Sequence, residues 1–148
     1  MSLPKLINNR FIPEDGLRII VQVPDTHVQK LINAIMAKDK LNYGGYDSVM
    51  FKTATGVQQF ESLGTGHNPA SGKVIEISCV EISFFLPNDE TKAVQILETI
   101  YATHPYEEPV VFVLPCVRTL HITGVDEDNP NKIWNKEKAD WYPENNQN

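Results

Sequence analysis

The chain has 148 residues, 41% of them hydrophobic and 22% charged, with a formal net charge of −6. That length suits one domain able to bury a core of its own. The 13 basic residues are scattered, which excludes a nucleic-acid binder, because a phosphate backbone is held by clustered Lys and Arg. No apolar run reaches the roughly 20 residues that span a bilayer, and no signal-peptide pattern opens the chain. Two cysteines, Cys79 and Cys116, make no disulfide framework and read as small hydrophobes in a reducing, cytoplasmic setting.

Residues 1–16 carry Pro4, Asn8, Asn9, Pro13 and Gly16 with little periodicity and read as a loose leader, docked through Leu6 and Phe11. The branched run from Leu17 to Val23 is the signature of a buried strand, ended by Pro24. Asp25 or Thr26 is placed to cap a helix. There Val28, Leu31, Ile32, Ile35 and Met36 recur at helical spacing as one apolar stripe, fading near Lys38 to Lys40.

Tyr43-Gly-Gly-Tyr46 is a turn. The segments Asp47–Thr53 and Val57–Ser62, punctuated by Gly56, read as the two arms of a hairpin. Residues 64–72 hold three glycines and a proline in nine positions, which only a loop accommodates. Lys73 to Leu86 is a long strand whose apolar parity changes: Ile75 and Ile77 lie on one parity, Val80, Ile82, Phe84 and Leu86 on the other. A pleat has period two, so the slip predicts a bulge or bend near Ser78 and Cys79.

Pro87 ends that strand and Asn88 or Asp89 caps a second helix, striped by Ala93, Ile96, Leu97, Ile100 and Tyr101. The helix runs into His104-Pro-Tyr-Glu-Glu108, and Glu108–Leu114 is another buried strand. From about Thr119 the pattern dissolves into a polar tail bearing Trp134, Trp141 and Tyr142. Tryptophans are costly to leave wet, so the tail is expected to dock on its own subunit or a neighbour.

Two strand–helix–strand units with right-handed crossovers make an α+β, ferredoxin-like sandwich with both helices on one face of the sheet. The core domain is expected over 17–118, with the tail over 119–148.

The chemistry concentrates in two places. His104 beside Glu107 and Glu108 offers nitrogen plus carboxylate, a donor set that borderline divalent metals accept. The competing reading makes His104 a helix terminator whose protonated ring complements the dipole and bonds the last carbonyls, with Tyr106 packed and its hydroxyl satisfied. His67 and Asn68 sit in the glycine loop, where function concentrates. Glu81 alternates with apolar neighbours on a central strand and needs a partner if buried, Arg18 or Arg118 being the candidates. His27 and His121 have no partner in sequence and read as structural. No nucleophile elbow, P-loop, dinucleotide fingerprint or paired-cysteine zinc motif is present.

These motifs carry a resemblance. Gly45 and Tyr46 in the turn, Phe51, Gly56 and Phe60 beyond it, Asn68, Pro69 and Gly72 in the loop, Glu81 on the strand and His104 through Glu108 resemble the insert domain of Nif-three-like (YqfO-type) proteins. That domain is itself similar to CutA and the PII signal proteins. The likeness runs from about Gly16 to Leu114. It departs at Gly44-Gly45, where Gly-Asn is frequent, at Val49, where cysteine is common, and at Ser62, where proline is usual.

The resemblance implies a PII/CutA-like fold and a homotrimer. It implies no reaction, because the metal ligands of full-length relatives lie in flanking halves that this chain lacks. The expected function is a binding or regulatory module rather than an enzyme. Its site is expected between subunits, lined by Tyr46, His67, Asn68, Glu81 and Tyr106, for a divalent metal held by His104, Glu107 and Glu108 or for a small anion. Two alternatives stand beside it. One is a metal-dependent enzyme built across the interface from His67, His104 and Glu107. The other is a structural protein that docks partners through its tryptophan tail.

Overall fold

A computed structural model describes residues 2–137; Trp141 and Tyr142, named above, lie outside the described residues. The elements in order are β1 (Phe11–Pro24), a 3-10 turn (Asp25–His27), α1 (Val28–Lys38), β2 (Phe51–Lys52), β3 (Gly56–Phe60), β4 (Ile75–Pro87), α2 (Glu90–Thr103), β5 (Val110–His121) and a second 3-10 turn (Ile133–Asn135). The sheet is ordered β2-β4-β1-β5, with β3 also paired to β4 and every pairing antiparallel. This is the ferredoxin-like sandwich.

The core forms where the sheet meets the two helices. Alternate residues Ile19, Val21 and Val23 of β1 and Val80, Ile82, Phe84 and Leu86 of β4 are buried against Val28, Leu31 and Ile35 of α1 and Ala93, Ile96 and Ile100 of α2. Each fully buried Leu or Ile contributes about 1.5–3 kcal/mol. Asp89 caps α2 by accepting from the Lys92 N–H at 3.0 Å. The first cap differs from the expectation at Asp25 or Thr26: α1 follows the 3-10 turn, and its N-cap is His27, which makes no side-chain cap bond.

Strand β1 begins six residues earlier than its apolar run, because β5 also runs on, to His121, and the two pair from Phe11↔His121 onward. Pro13 is tolerated there because β1 meets β4 only from Gly16↔Pro87, so one flank of the strand is open at that point.

The expected hairpin between β2 and β3 does not form. Both pair with β4, β2 at Ser83 and Ile82 and β3 from Cys79 to Ile75, so they lie end to end as one edge strand. Between them Thr53, Ala54 and Thr55 oppose Val80 and Glu81, a bulge. Thr53 holds it: its N–H donates to the Glu81 carbonyl, and its hydroxyl accepts from the Glu81 N–H, both at 3.0 Å. The irregularity anticipated in β4 near Ser78 and Cys79 therefore sits on the partner strand, and β4 itself is continuous. The parity change marks a switch of face: Ile75 and Ile77 lie on the sheet face away from the helices. The true hairpin joins β3 to β4 through the glycine loop.

Candidate functional site

Helix α2 stops at His104 because Pro105 has no N–H to continue it. The His104 ring is 6% exposed and lies under β1, its Nε2 2.7 Å from the Gln22 carbonyl. A carbonyl only accepts, so Nε2 carries the proton. Nδ1 accepts from the Tyr106 N–H at 3.1 Å. Both ring nitrogens are thus committed to backbone groups, which leaves no lone pair for a metal. Burial, with a smaller contribution from His27, holds the His104 pKa below the usual histidine value. The ring is neutral, and it ties the turn to β1 rather than bonding the last carbonyls of its own helix. This corrects the protonated helix-terminator reading as well.

The Tyr106 ring packs, tilted, with its centroid 5.1 Å from that of His104 and 6.0 Å from that of Phe60. Its hydroxyl is buried and has no hydrogen-bond partner among the described residues, contrary to the expectation that it would be satisfied. Burial raises its pKa.

Glu81 is partnered by neither Arg18 nor Arg118. Gln22 Nε2 donates to Glu81 Oε2 at 3.2 Å, and Gln58 Nε2 donates to Gln22 Oε1 at 2.9 Å. An ionised carboxylate only accepts, so the direction of this chain is set from the Glu81 end. The chain terminates in Gln58 Oε1, a second buried acceptor without a partner among the described residues. Glu81 is therefore part of a polar seam across the sheet rather than a residue of an open site.

Glu107 brings the two conspicuous motifs together. Its carboxylate accepts the His67 N–H at 3.0 and 3.3 Å, and the His67 Nε2 lies 4.0 Å from Oε1. A side chain at Gly66 would place its Cβ within 2.5 Å of that carboxylate, so glycine is what permits the approach. The base of the loop is pinned by two bonds between Ser62 and Ser71, each 3.0 Å. Between loop and turn opens a cleft of about 940 Å³, lined among others by Phe60, Glu61, Asn68, Tyr106, Glu107 and Glu108. Its lining holds three carboxylates and no Lys or Arg among the described residues.

Of the residues singled out in the sequence, Asn68, Tyr106, Glu107 and Glu108 line this cleft, and His67 is latched at its edge. Tyr46 is elsewhere, 73% exposed on its turn. Among the described residues no three His, Cys, Asp or Glu side chains are grouped as a metal would require.

Sequence reasoning missed Gln58 and Glu61, and it missed a cluster at the other end of the sheet. There Arg118 Nε pairs with Glu14 at 2.7 Å, and Nη1 donates to the Asn42 carbonyl at 2.8 Å. Its guanidinium lies between the rings of Tyr43 and Phe85, at 4.7 and 4.2 Å from their centroids. Gly16 lets Phe85 lie across β1, since a Cβ there would collide with that ring. The one available signal was the Glu14-x-x-x-Arg18 and Cys116-x-Arg118 alternation, obscured by neighbouring prolines.

No family model and no curated protein matches the sequence. Solved structures do. A Bacillus cereus protein related to NIF3 is 21% identical with a TM-score of 0.59; the likeness covers 76% of this chain and 29% of that one. CutA from Synechococcus elongatus is 17% identical with a TM-score of 0.51, over 74% of this chain and 85% of that one. This chain therefore spans under a third of the NIF3-related protein and most of CutA's length. The fold is clear: a ferredoxin-like sandwich of the PII/CutA type. Within that class the architecture is the one shared by NIF3-related and CutA proteins.

Proposed function

We propose that this chain is a CutA-like binding module rather than a catalyst, a homotrimer whose loop–turn cleft takes a divalent cation. The observation that supports it is the meeting of Glu107 with His67 at the edge of a cleft lined by three carboxylates. That surrounding repels anions and favours cations, so the small-anion alternative is set aside for this cleft.

His67 and Glu107 supply nitrogen and oxygen 4.0 Å apart, a separation that a small rotation of the exposed imidazole brings to a common metal with bonds of about 2.0–2.2 Å each. His104 does not fit as a ligand, because both its nitrogens are committed. Two donors are too few for a tight site, so the remaining ligand comes from a neighbouring copy or from water. The trimer is supported by the sheet face away from the helices, where Ile12, Phe112 and Leu114 are exposed and share one side of adjoining strands.

Calorimetric titration of Zn²⁺ into the tag-free chain tests the site, and light scattering tests the assembly. Saturable binding, weakened at least tenfold in His67→Ala and in Glu107→Ala, is the expected outcome. Binding indifferent to both substitutions refutes the site, and a monomer at micromolar concentration refutes the trimer.

A further inference from the structure

Directly opposed residues of an antiparallel pair share a face of the sheet, so the register assigns every strand side chain to one side. Ile19, Val21 and Val23 of β1 face the helices, which puts Ile12, Arg18, Ile20 and Gln22 on the other side with their partners in β4 and β5. That face is mostly apolar. Among the described residues, the strands place four charged side chains on it: Glu14, Arg18, Glu81 and Arg118. Two carboxylates against two guanidiniums make the face neutral in a chain of net charge −6.

Two of the four are spent on each other, Arg118 Nε lying 2.7 Å from Glu14. The other two do not meet. Arg18 opposes Phe85 and Glu81 opposes Gln22, with Ile20 and Ser83 between them. Four strand positions are about 13 Å. Glu81 accepts one side-chain hydrogen bond, from the Gln22 amide at 3.2 Å, whereas an ionised carboxylate has about four acceptor positions. Arg18 pairs with no carboxylate among the described residues. Covering the face buries both charges, and burying either without a counter-ion is costly. In a closed ring each copy presents two different patches, so a residue of one copy meets a different residue of the next.

Resting on the trimeric reading above, we propose that the copies meet through this face and that Arg18 of one copy pairs with Glu81 of the next around the ring. The guanidinium fork matches a carboxylate through two parallel hydrogen bonds, which fill the acceptor positions that the Gln22 amide leaves open. No charge on the covered face is then left alone. The contact also reaches the cleft. Glu81 is bonded to Gln22 and Gln22 to Gln58, and Gln58 stands in the wall of the acid-lined cleft. Ring closure therefore anchors that wall. Removing the Arg18 charge subtracts an attraction, whereas reversing it adds a repulsion at every contact of the ring. Arg18→Gln, which keeps an amide donor for Glu81, loosens the ring without opening it at micromolar concentration.

The test is light scattering after size exclusion, over a dilution series of the full chain. Wild type is compared with Arg18→Glu, with Glu81→Arg and with the double exchange that carries both. Either single reversal should raise the trimer dissociation constant about a hundredfold or more, because like charges then face each other. The double exchange should return it to within about tenfold of wild type. An equimolar mixture of the two single variants should associate where each alone does not, an outcome that no contact within one chain produces. A trimer undisturbed by the single reversals, a double exchange no better than either, or a mixture that stays monomeric overturns the pair. Those outcomes leave a trimeric wild type standing, whereas a monomeric wild type overturns the trimer and the pair together. Far-UV circular dichroism shows whether each variant is folded, and the double exchange decides the question if a single variant is not.

Discussion

The two ends of the sheet are built in opposite ways from similar material. At the Arg118 end a guanidinium packs against two rings and is bonded to a carboxylate and a backbone carbonyl, and its side chain is 9% exposed. At the cleft end a half-exposed carboxylate, Glu107, holds a glycine loop through one backbone N–H, and the histidine it approaches is 95% exposed. The first arrangement ties β1, β4, β5 and the segment after α1 together. The second fastens only a loop to a turn. One end is therefore expected to carry stability, and the other to carry adaptability at a binding surface.

The largest expected effect follows from that contrast. Arg118→Ala strands the Glu14 carboxylate and uncovers Phe85, and should cost about 2–4 kcal/mol in urea unfolding. Glu107→Ala should cost about 1 kcal/mol or less, since its bonds are made at the surface. If the two variants prove equally stable, the contrast is wrong.

The second effect is a pH dependence centred on His104. Its folded pKa lies below the unfolded value, near 6.5 for an ordinary histidine. The unfolded state therefore binds more protons in the interval between those two pKa values. The stabilisation is fully present above the unfolded pKa and is lost as pH falls through this interval. Denaturation curves collected from neutral to mildly acid pH should show that decline, and His104→Gln should flatten it. An unchanged slope in the variant would assign the decline to other groups.

Tyr106→Phe removes a buried hydroxyl that has no partner among the described residues. It should be neutral or stabilising by up to about 1 kcal/mol, where a satisfied hydroxyl would have cost a similar amount. The smallest effect is expected from Gly66→Ala. The collision is with the far end of the Glu107 side chain, which can swing away, so stability should change by about 0.5 kcal/mol or less. Amide exchange at His67 should nonetheless accelerate, because its hydrogen bond to Glu107 is lost.

The fold was legible because two apolar stripes at helical spacing and three branched runs do not fit another arrangement. The edge strand was misread because Gly56 looks like a hairpin turn, whereas Thr53 uses its hydroxyl in place of a carbonyl and lets the chain continue along β4. Nothing local in the sequence distinguishes those outcomes. The cleft was legible in outline, since the glycine loop and the His104–Glu108 turn do meet. The role of His104 was not: only the position of the Gln22 carbonyl, 82 residues away in sequence, reveals where its Nε2 proton goes. The arginine clamp escaped for the same reason, being assembled from Glu14, Asn42, Tyr43, Phe85 and Arg118, which no spacing rule connects.

The most direct test of the division between the two ends is native mass spectrometry of the tag-free chain with Zn²⁺, comparing wild type, Glu107→Ala and Arg18→Gln. A trimer that takes up metal in the wild type and in Arg18→Gln, and loses at least tenfold in uptake in Glu107→Ala, is the predicted result. Equal uptake in all three, or uptake lost only with Arg18, would contradict the assignment of cation binding to the loop–turn cleft.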